Sequence, residues 1–255
     1  MKSFLPLLLI FCFELLSLRA NAVEYRTVEH AGKKFTICVV DLDHESLRLF
    51  LKDDKGAELH NFPALDAWLH LRRQRLVFAM NGGMYHVSYA PVGVFVSEGR
   101  EVAPLNLNPG EGNFFLKPNG VFLVTDAGAA VVEASRYPAV AAKAKLATQS
   151  GPMLVLDGKL HPAFRADSVS RLFRNGVGVA NPRQAIFAIS EEAVNFFEFA
   201  TLFRDALHCP NALFLDGTIS SLFAPPLQRN DVHFPLGPIL GVTADLEPAD
   251  ANARK

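Results

Sequence analysis

Ala212-Leu213-Phe214-Leu215-Asp216-Gly217-Thr218-Ile219-Ser220-Ser221-Leu222-Phe223 runs four apolar residues into an acid, a glycine and a group of hydroxyls. The apolar run reads as a buried strand, so one carboxylate is carried on a rigid support to a strand end. Catalytic acids are mounted this way, but Asp216-Gly217 also makes a good turn between two strands. The other stretches of the chain must decide between these readings.

Working outward, the same arrangement recurs. Leu76 to Met80 is a short apolar strand that breaks at Asn81-Gly82-Gly83, where paired glycines let main-chain N–H groups approach a ligand. Gln149-Ser150-Gly151-Pro152 precedes the strand Met153 to Leu156. Arg171 and Arg174 introduce a glycine-spaced strand through Asn175, and an arginine fork suits two oxygens of one phosphate or carboxylate. Four strand ends therefore carry polar groups.

Further strands are expected at 34–41 and 46–51, paired as a hairpin, and at 92–96 and 101–102 around a Ser97-Glu98-Gly99-Arg100 turn. Residues 113–116 and 121–124 flank Lys117-Pro118-Asn119-Gly120, a second hairpin signal, and 185–189 and 239–242 complete the set. Two helices are expected. The first follows Asn61-Phe62-Pro63 with Leu65, Trp68, Leu69 and Leu76 on its apolar face and the basic cluster Arg72-Arg73-Gln74-Arg75 near its end. The second is capped by Ser190, with Phe196, Phe199, Ala200, Phe203 and Leu207 as its stripe. The expected fold is α+β, a single domain rich in mixed β-sheet with two main helices.

With 25 Lys and Arg against 26 Asp and Glu, the chain has no positive excess with which to neutralise a nucleic acid or hold an anionic membrane. Lys2, the apolar run Phe4 to Phe13 and Ala20-Asn21-Ala22 follow the order of a secretory signal peptide, so residues 1–22 are assigned to a signal, 23–246 to the folded domain and 247–255 to a disordered tail. A periplasmic or secreted location follows, without stable membrane insertion after cleavage. Cys38 and Cys209 then remain, and an oxidising compartment permits a bridge without requiring one.

The chain has no phosphate loop of the G-x-x-x-x-G-K-[ST] type, no H-E-x-x-H, no C-x-x-C and no G-x-S-x-G. Its eight histidines are scattered singly, and a metal site assembled from His86, His161, His208, His233 and acids stays open as the less favoured alternative. No cofactor is expected.

In order along the chain, Asn81-Gly82-Gly83-Met84-Tyr85, Pro91-Val92-Gly93, the stretch from Gly112 to Gly120, Gln149-Ser150-Gly151-Pro152, Arg174-Asn175-Gly176-Val177-Gly178 and Leu215-Asp216-Gly217-Thr218-Ile219-Ser220 resemble the phosphodiester glycosidases. That family includes the mammalian uncovering enzyme, which removes N-acetylglucosamine from a mannose-phosphate tag, and the likeness is closest to a bacterial exported branch. The uncovering-enzyme branch has a run of glycines after the aspartate, whereas Thr218 and Ile219 narrow the loop here.

The resemblance implies hydrolysis between a sugar's anomeric carbon and a phosphodiester oxygen. Arg174 would clamp the phosphate, an effect worth ~3–4 kcal/mol per donor at comparable oxyanion sites. Asp216 would face the anomeric carbon as stabiliser, nucleophile or base. Asn81, Gly82, Gln149, Ser150, Gly151, Asn175, Gly217 and Ser220 would hold the substrate, a sugar phosphodiester or envelope glycan. Glu111 is the candidate for a second acid by family position. The alternatives are a non-catalytic binding protein for cell-envelope carbohydrate and a metal-dependent phosphodiesterase.

Overall fold

The computed structural model describes residues 23–246; the expected signal at 1–22 and the expected tail at 247–255 lie outside them. Three sheets make up the frame. The first has, in spatial order, Val23–His30 (β1), Lys33–Asp41 (β2), Gln184–Ser190 (β13), Asn175–Asn181 (β12), Asn211–Asp216 (β14), Met153–Leu156 (β10) and Lys159–Leu160 (β11). The second has Arg229–Asn230 (β16), Leu222–Ala224 (β15), Gln74–Asn81 (β4), Ile239–Asp245 (β17) and Leu47–Phe50 (β3). The third has Arg100–Ala103 (β6), Phe95–Ser97 (β5), Leu146–Ser150 (β9), Gly120–Thr125 (β7) and Gly128–Glu133 (β8).

The sheet-rich α+β expectation agrees with this frame, but the sheets are not mixed. Every strand pairing among the described residues is antiparallel. Antiparallel neighbours need no helical crossover, which is why so few helices serve so many strands.

The core explains the strand sequences. In β2, Phe35, Ile37 and Val39 face a cluster with Phe199 and Phe203. Cys38 and Val40 point the other way into a cluster with Phe78 and Phe187 that draws on all three sheets. Both faces are covered, so apolar residues stand on both sides of the strand, with Thr36 the one polar residue between Phe35 and Val40. Cys38 and Cys209 belong to these two opposite clusters and are free thiols, each pushed up to about 12 by burial. The bridge that composition permitted is not made.

The first helix, α1, spans Phe62–His70, and its N-cap Asn61 accepts the N–H of Ala64 at 2.8 Å. It ends earlier than its apolar spacing suggested: Leu76 lies in β4, and Arg72 and Arg73 occupy the turn between them. The second helix, α2, spans Phe196–Thr201 and runs on into a wider turn at Leu202–Ala206. Its cap is Asn195, with Glu198 closing a capping box, not Ser190. Ser190 instead accepts the main-chain N–H of Arg174.

Both predicted hairpins are paired differently. Residues 33–41 pair with β1, whose mixed polar and apolar surface hid it from the apolar pattern, while 47–50 pair with β17 in another sheet. Asn113–Phe115 is a short 3₁₀ turn and not a strand, and β7 forms its hairpin with β8.

Candidate active site

The strand β14 ends at Asp216, opposite Asn175 of β12, and the register slips between Asn175 and Gly176, so Leu215 is an extra residue on β14. Such a bulge bends the strand and re-aims the last side chain. Beyond it, the Ser220 N–H donates to the Gly217 carbonyl at 3.0 Å and closes a tight turn.

Two buried asparagines grip that turn. Asn81 Nδ2 donates to Asn175 Oδ1 at 3.1 Å, and Asn175 Nδ2 donates back to Asn81 Oδ1 at 2.8 Å. Each oxygen also accepts a main-chain N–H: Asp216 on Asn175 and Ser221 on Asn81, both at 3.0 Å. The pair thus holds the turn at both ends, with its amide groups directed to one another and to the backbone rather than to a ligand. Ser150 adds a third hold, its hydroxyl donating to the Leu215 carbonyl at 2.9 Å.

Asp216 lines a cleft of about 430 Å³ together with Met84, Tyr85, His86, Glu111, Asn113 and the neighbouring aromatic pair Phe114 and Phe115. Burial raises its carboxyl to about 6, and the N–H groups of Gly217 and Ile219 pull it part of the way back. Tyr85, raised to about 12 by burial with Asp216 as the next cause, donates its hydroxyl to the Pro235 carbonyl at 2.5 Å. A half-buried carboxylate and a second acid, Glu111, therefore share one opening with donors at hand.

The other residues expected in the site support it from behind. Gln149 spends its side chain on the N–H groups of Val94 and Asn106 and on the Asn106 carbonyl. The Gly82 N–H goes to the Pro238 carbonyl, and a Cβ on Gly82 would lie 3.0 Å from the Leu240 nitrogen, so this glycine permits close strand packing. A Cβ on Gly151 would lie 2.7 Å from Asn119 Cβ. Ser220 donates to the Asp216 carbonyl at 3.1 Å.

Arg174 departs furthest from expectation. It is fully buried and does not line the cleft. Its Nε donates to the Val194 carbonyl at 2.9 Å, Nη2 donates to the Ser170 carbonyl at 3.2 Å, and the guanidinium lies 3.8 Å over the Phe196 ring. Phe214 flanks it at 5.5 Å. Among the described residues no carboxylate pairs with it, Nη1 has no hydrogen-bond partner, and burial lowers its pKa to about 10. Placed so, it offers the cleft no phosphate clamp.

Among the described residues no group of three His, Cys, Asp or Glu side chains could hold a metal ion. His161 is buried in a ring stack with Phe164, and only His86 of the four histidines considered lines the cleft. Tyr85, Asn113 and Phe115 are not expected as site residues from the sequence, although all three stand inside motifs quoted above, and His86 is expected there only as a candidate metal ligand. Their signal was proximity to Asn81-Gly82-Gly83 and to Glu111.

A half-buried aspartate on a braced turn, facing a cleft whose lining mixes a second acid and an amide with aromatic and aliphatic side chains, fits a glycosidase-type hydrolase on an antiparallel frame. Residues 74–243 match the family model for phosphodiester glycosidases, and the chain belongs to that family. The Escherichia coli K12 protein YigE is 36% identical over 189 residues, spanning 72% of this chain and 74% of that protein. The fold is similar to the zebrafish N-acetylglucosamine-1-phosphodiester alpha-N-acetylglucosaminidase catalytic domain, auto-inhibited by its pro-peptide: TM-score 0.62 and 13% identity over 88% of this chain and 84% of that one. A protein from Synechocystis has TM-score 0.58 and 14% identity over 87% and 62%.

Proposed function

We propose that this chain is an exported hydrolase that cleaves the bond between a sugar's anomeric carbon and a phosphodiester oxygen, with Asp216 acting at that carbon. The observation that carries the proposal is Asp216 itself, a carboxylate with raised proton affinity on a rigid turn in the wall of the cleft. At neutral pH it is mostly ionised. It can then oppose the positive charge that grows on the anomeric carbon, or attack that carbon directly.

A phosphate departs as a stable anion, so little protonation of the leaving oxygen is needed. Glu111 therefore serves better by orienting water than as a strong acid. Asn113 and His86 are the cleft side chains that can donate to phosphate oxygens, a task expected of Arg174 from the sequence. Arg174 instead stiffens the base of the site, joining the segments at 170 and 194 to the ring of Phe214, two residues before Asp216.

The test is an assay of residues 23–255 on sugar phosphodiesters with products identified by mass. Free sugar with phosphomonoester, lost in Asp216→Asn, supports the proposal. A sugar phosphate with free alcohol moves the chemistry to phosphorus and overturns it.

A further inference from the structure

Large exposed apolar side chains gather on loops around the mouth of the cleft. The turn that supplies Tyr85 and His86 to its lining is closed by the His86 N–H to the Ala90 carbonyl at 2.9 Å, and it carries Val87, fully in solvent. The Tyr85 hydroxyl bonds to the Pro235 carbonyl, which sets Phe234, 47% exposed, beside that turn. On another side, a Cβ on Gly217 would meet Leu172 Cδ1 at 3.2 Å, and the Ser220 hydroxyl lies 3.4 Å from the Phe173 carbonyl. Leu172 and Phe173 are 39% and 53% exposed.

Leu172 and Phe173 are not exposed for want of local order. The loop before Arg174 is tied down by Asn195 Nδ2, which donates to the Ala166 and Ser168 carbonyls, and by the two-pronged pair of Arg171 with Glu198. Exposed apolar side chains concentrated beside a cleft mark a binding surface in a way that singly scattered ones do not.

We propose that the alcohol on the far side of the phosphodiester is an apolar chain, and that Val87, Leu172, Phe173 and Phe234 receive it. This rests on the glycosidase reading above. A cleft of about 430 Å³ that mixes two carboxylates with the rings of Tyr85, Phe114 and Phe115 suits a sugar, and Asn113 and His86 are its donors for the phosphate. The second ester oxygen then leads out over the mouth, where a polar alcohol would find few partners and an alkyl or prenyl chain would be shielded from water. In the reaction, water's oxygen joins the anomeric carbon, and the broken C–O bond leaves its electron pair on the phosphate oxygen. The proton released from water ends on the monoester, giving free sugar and an alkyl phosphate.

The experiment is a series of diesters of one sugar phosphate with methyl, butyl, octyl and farnesyl alcohols, kept below the concentration at which they form micelles. The expected result is kcat/KM at least about tenfold higher for octyl than for methyl, since partial shielding of a few methylenes is enough for that. The double variant Phe173→Ser, Phe234→Ser brings the octyl-to-methyl ratio toward one. Cleavage of the whole series with one kcat/KM overturns the proposal while leaving the glycosidase reading standing. If no member is cleaved, the glycosidase reading falls, and binding decides the rim by itself. Affinity that rises with chain length then upholds the apolar rim, and flat affinity overturns it. Flat affinity together with capture on phospholipid vesicles assigns these residues to a membrane surface.

Discussion

Asp216 and Arg174 stand at adjoining strand ends, Asp216 in register with Asn175 and Arg174 just before Asn175, and the fold treats them in opposite ways. The acid ends β14 at the wall of an open cleft; the cation precedes β12 and is sealed beneath aromatic rings. Both are short of charged partners. For Asp216, burial raises its proton affinity where a ligand can reach it. For Arg174, burial lowers the pKa where main-chain carbonyls and ring faces are its neighbours. A charged residue beside a strand end can thus be a working group or a brace, and what separates the two is which side of the sheet opens.

The largest expected effect follows from Asp216. Replacing it by Asn should lower kcat/KM by about 10³-fold or more while leaving sugar-phosphate affinity within a few-fold, as measured by steady-state kinetics and calorimetry. If Asp216 were only a turn residue, the rate would hold. Arg174→Met keeps the packing on Phe196 and Phe214 but removes the donors to the Val194 and Ser170 carbonyls. Chemical denaturation should then show a stability loss of about 2–3 kcal/mol, with kcat per folded molecule changed less than tenfold. A hundredfold fall in activity with stability intact would make Arg174 a phosphate clamp after all and break the contrast.

Asn175→Ala frees the Asp216 N–H and strands Asn81, so kcat should drop about 10- to 100-fold with a much smaller change in KM, because the carboxylate is misplaced rather than removed. The pH dependence sharpens the same point. A carboxylate that acts in its ionised form gives a rate that rises with pH up to about 6 and then levels. The accompanying stability effect has the opposite slope: between the ordinary aspartate value and about 6 the folded protein holds a proton that the unfolded chain has released, so stability falls as pH rises through that window. Asp216→Asn should remove both trends. The smallest effect is expected for Glu111→Gln, below about tenfold in kcat, since phosphate needs no acid to leave and glutamine can still orient the water.

Much of this was legible in the chain. Two-sided burial made β14 a continuous apolar run and put apolar residues on both sides of β2, and the strand ends at Asn81, Gln149, Asn175 and Asp216 are where their polar residues placed them. Partnership was not legible. Lys33–Asp41 and Leu47–Phe50 look like a hairpin from local pattern, yet they enter different sheets because both faces of each had to be covered by distant strands. The same limit governed the site. Asn81, Gln149 and Ser150 have the chemistry of substrate ligands, and only their three-dimensional neighbours reveal that they support main-chain groups instead. The opening chosen by Tyr85, Glu111 and Asn113 depends on loops that meet across the fold, which spacing along one segment does not encode.

The central claim is that bond breaking takes place at the anomeric carbon beside Asp216. It is tested most directly by hydrolysing a sugar phosphodiester in ¹⁸O-labelled water and weighing both products. The account predicts the label in the sugar and none in the phosphomonoester. Label in a phosphate product would place the attack at phosphorus and contradict it.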